Sequence, residues 1–412
     1  MLSLILPYAY FILLTGLIIK APFFRIPQVS GITIPLAFAF KCFMGICMMF
    51  IYTNHYKVRY EADIFRYFDD SRVIYDVVWT HPLDFLRIMT GIDNERNYLW
   101  VYYNRMICWN PYFTNGVIRL NVIFRFLSGG NFFVHIIFSA FMGLCGLVGL
   151  IKTFEYFKIK RFKILAFTIL FFPSLSFWTS SPLKETIAIC SLGLGLYMSF
   201  KGYLHKNYYL LGFGLAVLIP CGFTKPYVLI SLVVASLCAL LFVFYGKERK
   251  LFYVLLFCLC LGGIAMYHMP KTLQNKQLDF YKVAEDSRAG SLMNTFVLDG
   301  TWSQLLIKAP IALQNALWQP GLIPKSSLLV KLSCLENFFI LALIAVSLFK
   351  TRSRPLPWFF WVVFVFVLLN LLMIGYTTPV AGAIVRYRVI ALPFLFCLLA
   401  CLHGIQTNEE QA

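Results

Sequence analysis

Four carboxylates, Glu61, Asp63, Asp69 and Asp70, crowd the segment "YEADIFRYFDD". Asp63 and Asp70 are seven positions apart, so they share a face if the segment is helical. Carboxylates gathered beside apolar surface tend to hold their protons to higher pH, which suits a general base. The competing expectation is a solvated loop neutralised by Arg59, Arg66 and Arg72. Hard divalent cations take oxygen ligands, so Glu61 with Asp63, or Asp69 with Asp70, is also where a divalent metal would bind. No motif calls for any other cofactor.

The cations stand elsewhere. In "FPSLSFWTSSPLKETIAI", Ser181 suits a helix N-cap and Pro182 the first helical position, which puts Lys184 and Glu185 in the first turn. The helix macrodipole disfavours a cation there. A nearby anion removes the conflict, and a helix start with a lysine suits phosphate. The alternative is that Lys184 reaches to the interface or pairs with Glu185. "GFTKPYV" repeats the grammar, with Lys225 ahead of Pro226. "GAIVRYRVIALPFLF" carries Arg386 and Arg388, which point about 200° apart on a helix but share a face if extended. Arginine grips phosphate or carboxylate in a bidentate fork. The alternative for both is interfacial anchoring beside Tyr387. Asp286, Arg288, Trp302 and Trp318 are candidates to line a substrate cleft, or else ordinary interfacial groups. Lys41 and Glu336 are charges inside apolar runs, and an ionisable group in a span is a functional candidate.

The elements that must position these groups are membrane spans. The chain of 412 residues is 60% hydrophobic and 13% charged, with a mean hydropathy of +0.75. Soluble domains carry about 25% charged residues. Windows long enough to cross a bilayer predict an all-α polytopic membrane protein. It forms one integral membrane domain with eleven spans, near 2–19, 33–53, 132–151, 164–178, 186–200, 208–222, 227–245, 251–267, 332–349, 357–375 and 389–404. One set of connections, at 20–25, 152–163, 201–207, 246–250 and 350–354, holds 15 Lys and Arg against two acids. The other set, 54–131, 179–185, 223–226, 268–331 and 376–388, holds every Asp. The positive-inside rule makes the first set cytoplasmic and the second outer. It also accounts for the net charge of +18 without nucleic acid.

Within the outer loop 54–131, "DDSRVIYDVVWTHPLDFLRIM" and "NGVIRLNVIFRFLSGG" have the spacing of amphipathic helices, which lie in the interface or pack on the bundle. A second outer loop, 268–331, includes a short helix ending at Pro320–Gly321. The 12 cysteines show no metal-ligand spacing, and only Cys108 stands clear of the spans.

"EADIFRYFDDSRVIYD", "FPSLSFWTSSPLKETI", "NALWQPGL" before "ENFFILAL", and "TTPVAGAIVRYRVIALPF" resemble segments of polytopic bacterial envelope glycosyltransferases of the broad GT-C type, from polysaccharide clusters. The resemblance implies a sugar donor on polyprenyl phosphate or pyrophosphate and a glycan or lipid acceptor at the periplasmic face of the inner membrane. It implies Asp63 or Glu61 as base, and Lys184, Lys225, Arg386 and Arg388 as holders of the lipid phosphate. In that class the acidic loop follows the first span; here it follows the second. Two other functions fit the same composition. One is a polymerase or ligase of oligosaccharide repeats, which uses the same basic residues with less need for the early carboxylates. The other is a flippase for lipid-linked oligosaccharides, in which mid-membrane charges and internal repeats are expected.

Overall fold

The computed structural model describes residues 2–56, 58–92, 97–109, 114–244, 256, 262–263, 267–286, 291–293, 295–321, 328–349 and 356–404. Among the described residues there are helices and no strand, only an isolated antiparallel bridge between Leu292 and Val380. The chain forms two compact units, Met1–Phe157 with Phe162–Pro226, and Lys158–Arg161 with Tyr227–Ala412.

The first unit opens with α1 (Leu2–Lys20) and α2 (Thr33–His55). The segment that follows α2 then folds into α3 (Asp63–Thr80), α4 (Pro82–Thr90), the short α5 (Trp100–Tyr103) and α6 (Asn115–Ser128). This agrees with the amphipathic spacing. Gly129 and Gly130 end α6 with φ of 58° and 83°, backbone that glycine adopts without strain. Asn131 then caps α7 (Phe132–Glu155) by accepting from the Phe133 amide at 2.9 Å. There follow α8 (Phe162–Phe171), α9 (Pro173–Trp178), α10 (Lys184–Leu204), α11 (Tyr208–Val217) and α12 (Ile219–Thr224). The next helix, α13 (Pro226–Phe244), begins at the expected proline and from Tyr227 belongs to the second unit.

One expected helix start is displaced. Pro182 does not open α10: Lys184 is its first residue and Leu183 its N-cap. The Ser181 carbonyl instead accepts from the Leu183 amide at 2.7 Å and from the Thr186 hydroxyl at 2.6 Å, which holds 181–183 in a tight turn ahead of the helix.

Small residues set the seam between α7 and α10. A methyl on Gly146 would collide with the Ile189 backbone, and one on Gly149 would fall 2.5 Å from the Gly193 carbonyl oxygen. Close backbone approach of this kind is the packing that apolar helices use in lipid. Since Gly146 meets Ile189 and Gly149 meets Gly193, α7 and α10 run in the same direction.

The second unit contains α14 (Met269–Asp286), α15 (Trp302–Trp318), α16 (Leu328–Phe349), α17 (Trp358–Thr377), α18 (Ala381–Arg388) and α19 (Leu392–Leu402). The helix before Pro320 is longer than the sequence suggests because Thr301 caps it early, with its hydroxyl on the Gln304 amide. Residues 291–293 are tied to the turn before α18 by Met293 N to Pro379 O at 2.8 Å and Ala381 N to Ser291 O at 3.0 Å.

Five helices, α2, α7, α10, α16 and α17, are long and apolar enough to cross a membrane. The pair α18–α19, bent by 63°, makes a sixth if counted as one span. These helices identify a multi-pass membrane protein. The other expected spans fall on shorter or interrupted apolar helices, except 251–267, nearly all of which lies outside the described residues.

Candidate functional site

In the first unit the acids begin at the end of α2. Glu61 sits exposed in a short turn, Arg59–Glu61, and Asp63 opens α3. The four carboxylates differ in what holds them. Asp69 takes a bidentate grip from Arg59, at 2.8 and 3.1 Å, and that guanidinium also lies 4.1 Å from the centre of the Phe65 ring. Asp70 is buried and accepts the backbone N–H groups of Ile107, at 2.8 Å, and Cys108, at 2.9 Å. It therefore pins residues 107–108 to α3. Asp63 is half-buried, with Arg66 at 4.0 Å, while Arg66 also donates to the Tyr60 carbonyl at 2.7 Å.

Asp63 and Asp70 share a face, as their spacing requires, and the Cys108 thiol registers both. Burial first, and then the Asp70 carboxylate 3.0 Å away, push that thiol well above its ordinary range, with Asp63 adding to the effect. Nearby, Tyr103 stacks on Trp109 with centroids 4.6 Å apart, and burial pushes its hydroxyl up to about 12. Arg119 donates to the Ile88 carbonyl at 2.8 Å, and burial lowers its pKa.

The cationic turn packs into the same cluster as the acids. Leu183 and Ile187, which flank Lys184, belong to one hydrophobic core with Ala62, Ile64, Tyr67, Tyr103 and Met106, and Trp178 packs against it. Glu185 is fully buried and meets the Lys225 ammonium at 2.8 Å. The sequence offered Glu185 as a partner for Lys184 and left Lys225 as a separate phosphate holder. The fold joins Glu185 to Lys225, which sits at the end of α12 just ahead of Pro226. Lys184 is half-buried at the first position of α10.

Two further polar clusters had no motif to announce them. Lys41, within α2, is fully buried and donates to the Thr179 hydroxyl at 2.6 Å. Its one signal was a lysine inside the apolar run "FAFKCFMG". At the junction of α3, α6 and α7, Arg125 donates to the Ser71 hydroxyl at 3.1 Å and the Phe68 carbonyl at 2.6 Å. Burial lowers its pKa. His135 bridges Asn121 at 2.8 Å and Ser128 at 2.9 Å. Since Asn121 gives its own N–H to the Val117 carbonyl, its oxygen faces His135, so Nδ1 carries the proton.

In the second unit Arg386 and Arg388 are helical, in α18, and so point in different directions. Arg388 is buried and held by protein: it donates to the Leu317 carbonyl at 3.2 Å, the Ala316 carbonyl at 3.4 Å and the Asn337 side chain, with Glu336 at 3.9 Å. Glu336 thereby has a structural partner. Asp286 ends α14, and Arg288 lies outside the described residues. Among the described residues no three His, Cys, Asp or Glu side chains gather as metal ligands would. Two of the four acids considered for a divalent cation, Asp69 and Asp70, already have their oxygens on Arg59 and on backbone amides.

No family model matches the chain, and neither do curated proteins or solved structures.

Proposed function

We propose that the protein is a membrane glycosyltransferase of the broad GT-C type. It moves a sugar from a polyprenyl-phosphate donor to an envelope glycan or lipid acceptor at the periplasmic face of a bacterial inner membrane. One observation carries the reading: the acid segment 61–70 and the start of α10 pack into a single core in the first unit. This shared packing supports a reading in which a base from the acid segment and a cation from the start of α10 serve one reaction. Sugar transfer from a phosphate leaving group needs both, one to take the acceptor's proton and one to stabilise the departing charge.

The geometry ranks the residues for these roles. Asp69 and Asp70 have structural work, on Arg59 and on the 107–108 backbone. Asp63, half-buried at the head of α3, is the base, with exposed Glu61 the next candidate. Lys184 holds the phosphate at the start of α10. Lys225 acts through Glu185, fixing that helix start.

The test is a transfer assay with a radiolabelled polyprenyl-phosphate sugar in proteoliposomes. Asp63→Asn is expected to lower turnover by at least 100-fold with membrane insertion intact, in the range that loss of a general base produces. Full activity of that variant removes Asp63 from the mechanism. Activity that survives loss of the acids but not of Arg386 would instead indicate the oligosaccharide polymerase or ligase.

A further inference from the structure

The turn that carries Lys184 was expected at the membrane surface, yet its neighbours lie deep along two other helices. A methyl on Gly45 of α2 would fall 2.6 Å from the Ser180 carbonyl oxygen, and one on Gly143 of α7 would collide with that of Thr179. Gly45 is ten residues from the end of α2 at His55, about 15 Å along the axis. Gly143 is eleven residues from the start of α7 at Phe132, about 16 Å along. Both ends join the same outer loop, so two independent rulers agree. The hydrocarbon layer is about 30 Å thick, and the break at 179–183 therefore lies near its middle.

Irregular backbone at that depth must be enclosed by protein or line a polar site. The break is both enclosed and polar: Thr179, Ser180 and Ser181 are all fully buried. Thr179 and Ser180 spend their protons on the carbonyls of Leu175 and Ser176, one turn back. The Ser181 hydroxyl makes no hydrogen bond to the described residues, nor does that of Ser139, one helical turn from Gly143 on the same face of α7. Into this region comes Lys41. Its Cε and Nζ lie 3.1 Å from where a methyl on Gly143 would be, so the glycine makes the room. Lys225 is matched by Glu185, but no carboxylate among the described residues pairs with Lys41, whose hydrogen bond goes to Thr179. A buried lysine with one neutral partner packs at the Gly143–Thr179 contact, and two unsatisfied hydroxyls, of Ser181 and Ser139, stand two residues from Thr179 and four from Gly143, which together offer the donor set of an oxyanion site.

We infer that Lys41, Ser139 and Ser181 form a phosphate-binding point in the membrane interior, beneath the turn that carries Lys184. The inference deepens the reading of a phosphate-bearing donor, since Lys184 and Lys41 would meet the same headgroup from either side of the 179–183 break. It also extends the phosphate site to a residue that sits in a span rather than a loop.

Titration calorimetry of the full chain in detergent, with inorganic phosphate in one arm and farnesyl phosphate in the other, tests this. Wild-type protein is expected to bind at least one of them. Lys41→Met, which keeps the packing volume and drops the charge, is expected to bind at least tenfold more weakly, and Ser181→Ala several-fold more weakly. Binding of inorganic phosphate identifies a free-phosphate site, and binding of the lipid alone identifies a headgroup site. Absence of binding in both arms, or affinity unchanged in both variants, overturns the inference. Circular dichroism and elution volume check that Lys41→Met folds; if it does not, Ser139→Ala and Ser181→Ala decide. The outcomes separate from those of the transfer assay. Phosphate binding that needs Lys41 in a protein without transfer activity sinks the transferase alone, and transfer with Lys41-independent binding sinks this site alone.

Discussion

At the residue scale, the cationic turn rests on the ion pair between Glu185 and Lys225. Both side chains are almost wholly buried, and a charge left alone in such a place is costly. Glu185→Gln is expected to destabilise the first unit by about 3 kcal/mol or more, seen as a lower midpoint in thermal unfolding in detergent. The double variant Glu185→Leu with Lys225→Met is expected to be more stable than Glu185→Gln, because it buries no unpaired charge. A double variant that unfolds earlier would mean the pair does more than neutralise itself. Cys108 gives a second check at this scale. Its thiol is held protonated by burial and by Asp70, and the thiolate is the reactive form. Alkylation by iodoacetamide is expected to be slow at neutral pH and to rise as the pH approaches the raised pKa. Asp70→Asn removes one of the raising causes and is expected to speed it. The sequence named the acids and most of the cations as candidates for chemistry, but not their partners. Asp70 reaches amides 37 and 38 residues away, and Lys225 reaches an acid 40 residues away, distances over which spacing says nothing.

At the scale of elements, periodicity found α6 and the amphipathic stretch of α3 and α4, which it ran together as one helix although the chain breaks at His81–Pro82. It also hid something. On α6 the polar residues Asn121, Arg125 and Ser128 face inward, while Ile123, Phe126 and Leu127 are 51%, 45% and 51% exposed. A helix in water shows the reverse. Phe124 of α6 contacts His135 and Phe138 in the first two turns of α7, so α6 lies beside the span rather than above it. An apolar outward face at that level suits acyl chains. Hydropathy likewise merged 164–178 into one span, because averaging over a window does not register the break between α8 and α9 at Phe172–Pro173, nor the depth at which α9 stops. Cysteine accessibility reads that depth directly. Ser180→Cys is expected to resist a membrane-impermeant maleimide in intact proteoliposomes, while Asp76→Cys, on an exposed part of α3, labels readily. Equal labelling at both sites would return the 179–185 turn to the surface.

At the scale of the whole molecule, charge distribution determines which connections share a side, and it does so without fixing how many helices cross. The basic connections 152–163 and 201–207 flank the α8–α9 pair and α10. A hairpin that crosses the membrane fully returns the chain to the side it left, and so does one that turns at half depth. The alternation of basic and acidic loops is therefore the same for both, and it could not reveal that the turn at 179–183 sits level with Gly45 and Gly143. The expected sidedness follows from the connections, which hold 15 basic residues against two acids on one set and every Asp on the other. Reporter fusions placed after Lys160 and after Lys206 are expected to read cytoplasmic, and fusions after Asp76 and after Asp286 to read outer. A fusion after Lys206 that reads outer would mean that α8 to α10 crosses an odd number of times. The acids of α3 and the basic end of α10 would then no longer lie on opposite sides of the bilayer.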